Sequence, residues 1–146
     1  SMAKVLIKKL NPNVELPSYK TTGASGMDLM AFIVEPIKIA PNSSYLVPTG
    51  LSIAFSDDYE VQIRPRSGLA AKDNITVLNT PGTIDSDYRG EIKIILFNHG
   101  KDDFLINNKD RVAQMILTPV VKIEFQETDN LPDTLRGESG FGSTGK

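Results

Sequence analysis

Short apolar segments separated by turn-forming residues recur along this chain, and they limit the folds that it can adopt. Between Val5 and Phe125 a turn rich in glycine, proline, asparagine, aspartate or serine returns about every 8–12 residues. This spacing predicts an all-β sandwich, jelly roll or barrel and disfavours an α/β fold. One short helix is predicted at Leu69–Lys72, where Ser67 could serve as the N-cap.

The apolar segments predict the individual strands. In Glu60–Arg64, Val61 and Ile63 alternate with Gln62 and Arg64, which is typical of a strand with one buried face. Ile33–Ala40 alternates imperfectly around Pro36, so it is predicted as an edge strand or a bend. The remaining predicted strands are Val5–Lys8, Met27–Ala31, Tyr45–Val47, Leu51–Phe55, Asn74–Leu78, Glu91–Asn98, Phe104–Ile106, Val112–Leu117 and Val120–Phe125.

Size and charge bound the function. A chain of 146 residues predicts one domain, which can bury roughly 70% of its unfolded surface. We place a β domain at residues 1–128 and an arm at 129–146, because the chain turns polar and glycine-rich there. The net charge of −2 argues against nucleic acid as a partner. The absence of cysteine, of an apolar signal segment and of a membrane span predicts a cytoplasmic protein with no membrane partner.

The stretch Asn79–Glu91, with the sequence NTPGTIDSDYRGE, is the strongest candidate for an active site. It lies between two apolar, β-branched runs, so we interpret it as a hairpin. Its portion Asp85–Arg89 contains two carboxylates, a tyrosine and an arginine. A structural hairpin needs turn residues, but it does not need so many reactive side chains in five positions.

A second candidate is Arg64–Gly68, which joins a predicted strand to the predicted helix. Pro65 ends the strand because it lacks a backbone donor. Free amides at a helix start, next to an arginine and a hydroxyl, could bind a phosphate. An ordinary helix cap with solvated arginines explains the same residues.

A third candidate is the end of the chain, Arg136–Lys146. Its four glycines allow successive amides to converge on an anion, and Ser143 and Thr144 add hydroxyls. Phe141 could stack on a base. The alternative is a disordered terminus, which is common for such a composition.

Single polar residues in apolar surroundings add further candidates. Asp28 is either an inward-facing carboxylate that needs an arginine as a partner, or a turn residue. Gln114 interrupts an apolar strand and serves either the fold or a ligand. His99 is the only histidine, and its turn suggests no role. With no cysteine and one histidine the chain does not favour a protein-held zinc, whereas Mg²⁺ held by substrate phosphates remains open.

Together, five stretches of the chain resemble, in order, the five motifs of the trimeric dUTPases, the deoxyuridine triphosphate nucleotidohydrolases. The resemblance covers essentially the whole chain. The stretches are Ala24–Leu29, Arg64–Ala70, Asn79–Glu91, Lys109–Ile116 and Arg136–Gly145. Two positions depart from the family pattern: Lys109 stands where the fourth motif usually has glycine, and Ser139 replaces a common glycine in the arm.

The resemblance implies a fold and a reaction. The expected fold is a jelly-roll-like (β-clip) subunit with a flexible C-terminal arm, assembled as a homotrimer whose sites are shared between subunits. The expected reaction converts dUTP and water to dUMP and pyrophosphate with Mg²⁺, which keeps uracil out of DNA and supplies dUMP for thymidylate synthesis. The rivals are a dCTP deaminase-like enzyme and a non-catalytic nucleotide-binding β module. The aspartate-bearing third motif and the glycine-rich arm favour the hydrolase.

The resemblance also implies residue roles. Asp85 is expected to activate the attacking water, and Asp28 to support the site or the metal waters from behind. The residues expected at uracil and deoxyribose are Asn79, Gly82, Ile84, Tyr88 and Phe141, and those expected at the phosphates are Arg66, Ser67, Gly68, Gln114, Arg136, Ser143 and Thr144.

Overall fold

Nearly every apolar segment forms a strand in the computed structural model, which describes residues 2–142. The described chain has eleven strands and one helix. They are β1 (Leu6–Lys9), β2 (Met27–Met30), β3 (Ile37–Ile39), β4 (Ser44–Pro48), β5 (Leu51–Ala54), β6 (Tyr59–Arg64), α1 (Ser67–Asp73), β7 (Ile75–Val77), β8 (Gly82–Ile84), β9 (Lys93–Asn98), β10 (Phe104–Ile106) and β11 (Arg111–Pro119). The prediction of an all-β fold with one short helix is confirmed.

The strands pair antiparallel in four sheets. The largest has the order β2-β11-β6-β8, and the second has the order β4-β9-β7. The pairs β1–β5 and β3–β10 form two smaller sheets. Neighbours in a sheet are often far apart in sequence, as in a jelly roll.

One apolar cluster lies between the sheets. Val61 and Ile63 of β6 are buried, while Gln62 and Arg64 between and beside them are partly exposed, as the alternation predicts. Ile94 and Leu96 of β9 belong to the same cluster. Each fully buried aliphatic side chain contributes about 1.5–3 kcal/mol. The inward residues of both large sheets therefore hold β6, β8 and β9 in fixed positions.

The predicted hairpin has a different form from the one expected. β7 and β9 pair with each other, with Val77 opposite Leu96. The chain between them does not turn tightly; instead it leaves this sheet and forms β8, which pairs with β6 in the other sheet. The stretch Asn79–Glu91 therefore connects the two large sheets.

The helix and the end of the β domain also differ from expectation. Ser67 does not cap α1, because the N-cap is Arg66 and no side chain caps the helix start. Val120–Phe125 is not a strand: Pro119 ends β11, and only the Val120 N–H finds a backbone acceptor, the carbonyl of Asp58. A strand needs a neighbour for its remaining donors, and this part of the chain has none within residues 2–142.

Residues from Val121 to Ser139 are exposed throughout and form no helix or strand. Large apolar side chains such as Phe125 and Leu135 are almost fully exposed. None of the helical structure described for residues 2–142 is long and apolar enough to cross a membrane.

Candidate functional site

A pocket of about 520 Å³ opens around β8, and we call it the β8 pocket. Strands β6, β7 and β9 and the stretch around β8 form its walls. The lining residues are Leu46, Ile63, Val77, Asn79, Gly82, Thr83, Ile84, Asp85, Tyr88, Glu91, Ile92, Lys93, Ile94 and Ile95. The structure thus brings together Asn79, Gly82, Ile84, Asp85 and Tyr88, five of the residues predicted from the sequence.

The pairing of β8 with β6 determines which groups enter this pocket. Gly82 lies opposite Ile63 and Ile84 opposite Val61. A Cβ atom at Gly82 would lie 3.3 Å from Cβ of Ile63 and 3.4 Å from the amide nitrogen of Asn79. Glycine therefore lets the β8 backbone pack closely against Ile63 and the Asn79 side chain.

Asp85 follows β8 directly and is exposed at the pocket. In the part of the chain from residue 2 to residue 142 its carboxylate forms no ion pair. The following turn is bonded internally, because the Tyr88 N–H donates to the Asp85 carbonyl at 3.1 Å. Arg89 donates from Nη1 to the carbonyls of Ser86, at 2.6 Å, and Tyr88, at 3.3 Å. The carboxylate is thus presented by a locally rigid turn and is free to accept a hydrogen bond.

Tyr88 lies at the same pocket with its ring about half exposed. Its hydroxyl donates to the backbone carbonyl of Glu91 at 2.9 Å. The sequence analysis gave no individual role to Gly90 or Glu91. The structure places both of them directly against Tyr88 or its hydroxyl.

A second group lies where β2 and β11 meet the connection from β6 to α1. It consists of Asp28, Arg66 and Gln114, and we call it the β6–α1 cluster. Arg66 Nε lies 3.1 Å from Asp28 Oδ1, with both side chains about a quarter exposed. Arg66 also donates from Nη1 to the Arg111 carbonyl at 3.2 Å. The alternative that Asp28 is an inward carboxylate with an arginine partner is therefore the one that the structure shows.

Gln114 joins this cluster through β11. It lies opposite Asp28 on one side and Arg64 on the other. Its amide Nε2 donates to the Pro65 carbonyl at 3.0 Å, so the side chain fixes the bend before α1. Ser67 and Gly68 follow this bend, and both are exposed at the helix start.

The two groups are not in one pocket within this chain. β8 pairs with one edge of β6 and β11 with the other, so β6 lies between the β8 pocket and the β6–α1 cluster. The described part of the arm, residues 129–142, does not reach the pocket either: Arg136 Nε donates to the nearby Ser139 carbonyl at 2.8 Å, and Phe141 is fully exposed. The predicted residues Ser143 and Thr144 lie outside the described residues.

The described residues do not form a metal cage. Between residues 2 and 142 no group of three or more aspartate, glutamate or histidine side chains is close enough to hold an ion. Mg²⁺ commonly binds through one or two carboxylates, waters and substrate phosphates. The exposed Asp85 carboxylate fits such binding. The Asp28 carboxylate is paired with Arg66, so it fits a role beside the site.

Comparison with known proteins gives a consistent result. The family model described as dUTPase matches residues 12–145. The chain belongs to the dUTPase family. Membership makes it a hydrolase that acts on dUTP, which confirms the prediction drawn from its five motifs.

Close relatives support this membership over nearly the full length. The deoxyuridine 5'-triphosphate nucleotidohydrolase of Nautilia profundicola is 54% identical over 143 residues, which is 98% of this chain and 99% of the relative. The protein of the same name from Rickettsia massiliae is 53% identical over 146 residues, which is 99% of each chain.

Solved structures with low sequence identity share the fold. The dUTPase of Staphylococcus bacteriophage 80alpha, solved with dUpNHpp, has a TM-score of 0.86 at 20% identity and covers 98% of this chain and 99% of its own. A dUTPase variant from phage phi11 of S. aureus, described with a structural Mg(II) ion, has a TM-score of 0.78 at 18% identity and covers 87% of this chain and 97% of its own. These two likenesses confirm the β architecture.

Proposed function

We propose that this enzyme hydrolyses dUTP to dUMP and pyrophosphate by attack of a water molecule on the α-phosphorus, with Asp85 as the general base. The observation that carries the proposal is the exposed Asp85 carboxylate at the β8 pocket, presented by an internally bonded turn. A carboxylate can accept the proton of a water molecule that is well oriented. Positioning and charge neutralisation then supply most of the remaining rate enhancement in phosphate chemistry.

In this proposal the β8 pocket also recognises the base and the sugar. Asn79 and the backbone around Gly82 and Ile84 read the O4 and N3–H edge of uracil. The position of Asn79, Gly82 and Ile84 in the lining of the β8 pocket supports this role. Tyr88 packs against the deoxyribose and disfavours a 2′-hydroxyl.

In this proposal the phosphates are held by groups outside the β8 pocket as residues 2–142 of one chain form it. Arg66, Ser67, Gly68 and Gln114 bind them from a neighbouring subunit of a homotrimer, and Arg136, Ser143 and Thr144 close over them from the arm, residues 129–146, of a subunit. Phe141 stacks over the uracil. The separation of the two groups by β6 and the full exposure of Phe141 support a shared site.

Mg²⁺ would be held mainly by the substrate phosphates and water, and it would neutralise phosphate charge and help orient the attacking water. This chain contributes the residues around it: Asp85 accepts the proton, Arg66 supplies positive charge, and Asp28 fixes Arg66 through their 3.1 Å ion pair. We place the enzyme in the cytoplasm, where the reaction would lower the concentration of dUTP and supply dUMP.

A pyrophosphate-release assay with dUTP, UTP, dTTP and dCTP, each with and without Mg²⁺, tests the proposal. We expect strong preference for dUTP, dependence on Mg²⁺ and loss of release in Asp85→Asn. Ammonia release from dCTP would instead identify a deaminase. Calorimetric binding of dUTP without pyrophosphate formation would identify a non-catalytic nucleotide-binding module.

A further inference from the structure

We propose that Gly90 and Glu91 are positioning residues for sugar selection, because together they hold the Tyr88 ring in the orientation that faces the β8 pocket. The inference rests on the proposed role of Tyr88 at the deoxyribose and extends it to two residues that touch neither base nor phosphate in that proposal. Its basis is a close ring–glycine contact and a chain of hydrogen bonds that ends in the turn between β4 and β5.

Gly90 makes the closest contact with the Tyr88 side chain. A Cβ atom at Gly90 would collide with the Tyr88 hydroxyl and lie 2.5 Å from Cζ and 2.8 Å from Cε1. The outer edge of the ring therefore lies directly on the Gly90 backbone. The ring is about half exposed, so the surrounding side chains alone leave it free to move.

An added methyl group would shift the ring without breaking the backbone. The described glycines with positive φ are Gly50, Gly137 and Gly142, so Gly90 has a conformation that alanine also adopts. The nearest atoms are the far end of a partly exposed side chain. Relief of the contact requires a ring movement of about 1 Å. A sugar in contact with that ring would lose its defined wall.

Glu91 fixes the other end of the ring through its backbone. Its carbonyl accepts the Tyr88 hydroxyl at 2.9 Å, so the position of this carbonyl determines the position of the hydroxyl. The Glu91 carboxylate Oε2 in turn accepts the Gly50 N–H at 2.9 Å. The next residue is held as well, because the Ile92 N–H donates to the Leu51 carbonyl at 2.8 Å.

The turn that receives Glu91 is itself rigid. Gly50 has a φ of 70°, and a Cβ atom there would lie 2.6 Å from Val14 Cγ2. The buried Thr49 donates from Oγ1 to the Ile92 carbonyl at 2.6 Å. The core therefore orients Glu91, and Glu91 orients Tyr88. A displacement of about 1 Å at a positioned group can cost about 100-fold in rate, so a shift of the Tyr88 ring is large enough to alter sugar selectivity.

The test is the ratio of kcat/KM for dUTP to kcat/KM for UTP, measured by pyrophosphate release with Mg²⁺ on the full chain. We expect Gly90→Ala and Glu91→Ala each to lower this ratio about tenfold. Glu91→Gln keeps an oxygen acceptor for the Gly50 N–H, so it should preserve the ratio. Gly23→Ala is the matched control, since no atom lies within 4 Å of a Cβ there.

A purely structural role would lower the melting temperature and scale both substrates alike, but it would leave the ratio unchanged. Tyr88→Ala separates the two hypotheses. If it changes the ratio and neither Gly90→Ala nor Glu91→Ala does, the positioning inference is wrong and the role of Tyr88 stands. If Tyr88→Ala leaves the ratio unchanged, both are wrong. Gly90→Ala should have no additional effect on the ratio in a Tyr88→Ala background.

Discussion

At the scale of single residues, Asp85 lies at the end of β8, where its carboxylate can react without supporting the fold. β8 is anchored by pairing with β6, whereas the Asp85 carboxylate is exposed and takes part in no ion pair within residues 2–142. Removal of its charge therefore leaves the backbone that forms the pocket in place. Binding and turnover should respond differently to a change at this position.

Asp85→Asn should lower kcat by about 10²- to 10⁴-fold while dUTP still binds, because the amide keeps the size of the side chain and cannot accept a proton from water. Pyrophosphate release gives kcat, and calorimetry with the inactive variant gives Kd. Ser86→Ala, at the next residue of the same turn, is a control that leaves the carboxylate intact. An unchanged kcat in Asp85→Asn would disprove the role as a base.

Lys109 shows how one residue departs from the family pattern without loss of the fold. It has a φ of 71°, the left-handed conformation that glycine adopts without strain. The turn is nevertheless formed, since the Lys109 N–H donates to the Ala31 carbonyl and the Asp110 N–H to the Asn107 carbonyl. The lysine is tolerated at a cost of about 1–2 kcal/mol.

Lys109→Gly should therefore raise the free energy of unfolding by about 0.5–1 kcal/mol, because relief of the strain exceeds the added entropy of the unfolded chain. Urea denaturation at one fixed protein concentration measures the change. Lys109→Ala removes the same side chain but keeps the strained conformation, so it should show no such gain. Equal stability of the glycine and alanine variants would contradict the argument.

At the scale of elements, the sequence predicted those strands whose hydrogen-bonding partners and apolar faces lie within the chain. β6, β9 and β10 appear where alternation or apolar runs placed them. β8 was missed because three residues, one of them glycine, carry no periodic signal; its identity depends on the edge of β6, which is distant in sequence.

The prediction of a strand at Val120–Phe125 is wrong for the opposite reason: the local pattern is present but, within residues 2–142, the partner strand is missing. Val121, Ile123 and Phe125 alternate with charged residues, so the local pattern is that of a strand. In the described chain these three side chains are exposed and have no strand beside them. The local sequence pattern indicates only a tendency to form a strand, whereas a strand also needs a partner for its backbone N–H and C=O groups. Asn79, Asp85 and Tyr88 meet at one pocket because they are close in sequence, whereas the link from Glu91 to Gly50 joins residues far apart in sequence and has no local signal.

The C-terminal arm carries the clearest prediction at this scale. Deletion of residues 136–146 should leave the melting temperature within about 2 °C of the full chain, because the residues from 136 to 142 contribute no buried side chain to the core. Under the proposed function, kcat/KM for dUTP should fall at least about 100-fold, since phosphate-binding groups are lost. A large fall in melting temperature would show that the arm supports the fold.

At the scale of the whole molecule, the separation of the two polar groups has a consequence for assembly. Within residues 2–142 the β8 pocket is lined by Asp85 and one cation, Lys93, which alone does not balance the charge of a triphosphate, and Arg66 lies on the other side of β6. Hydrolysis of a triphosphate needs both a base and positive charge at one substrate. A homotrimer that places Arg66 of one subunit at the β8 pocket of the next would satisfy this need in three equivalent sites.

Mixed trimers test this arrangement directly. Asp85→Asn and Arg66→Ala are each expected to be nearly inactive, but together they can form sites in which an intact Asp85 from one chain meets an intact Arg66 from another. After unfolding and refolding of a 1:1 mixture, about a quarter of the sites should be intact, and pyrophosphate release should recover in proportion. Each variant refolded alone is the control, and native mass spectrometry establishes that the chains have mixed. If mixed oligomers form and no activity returns, Asp85 and Arg66 do not come from different chains and the shared site is wrong.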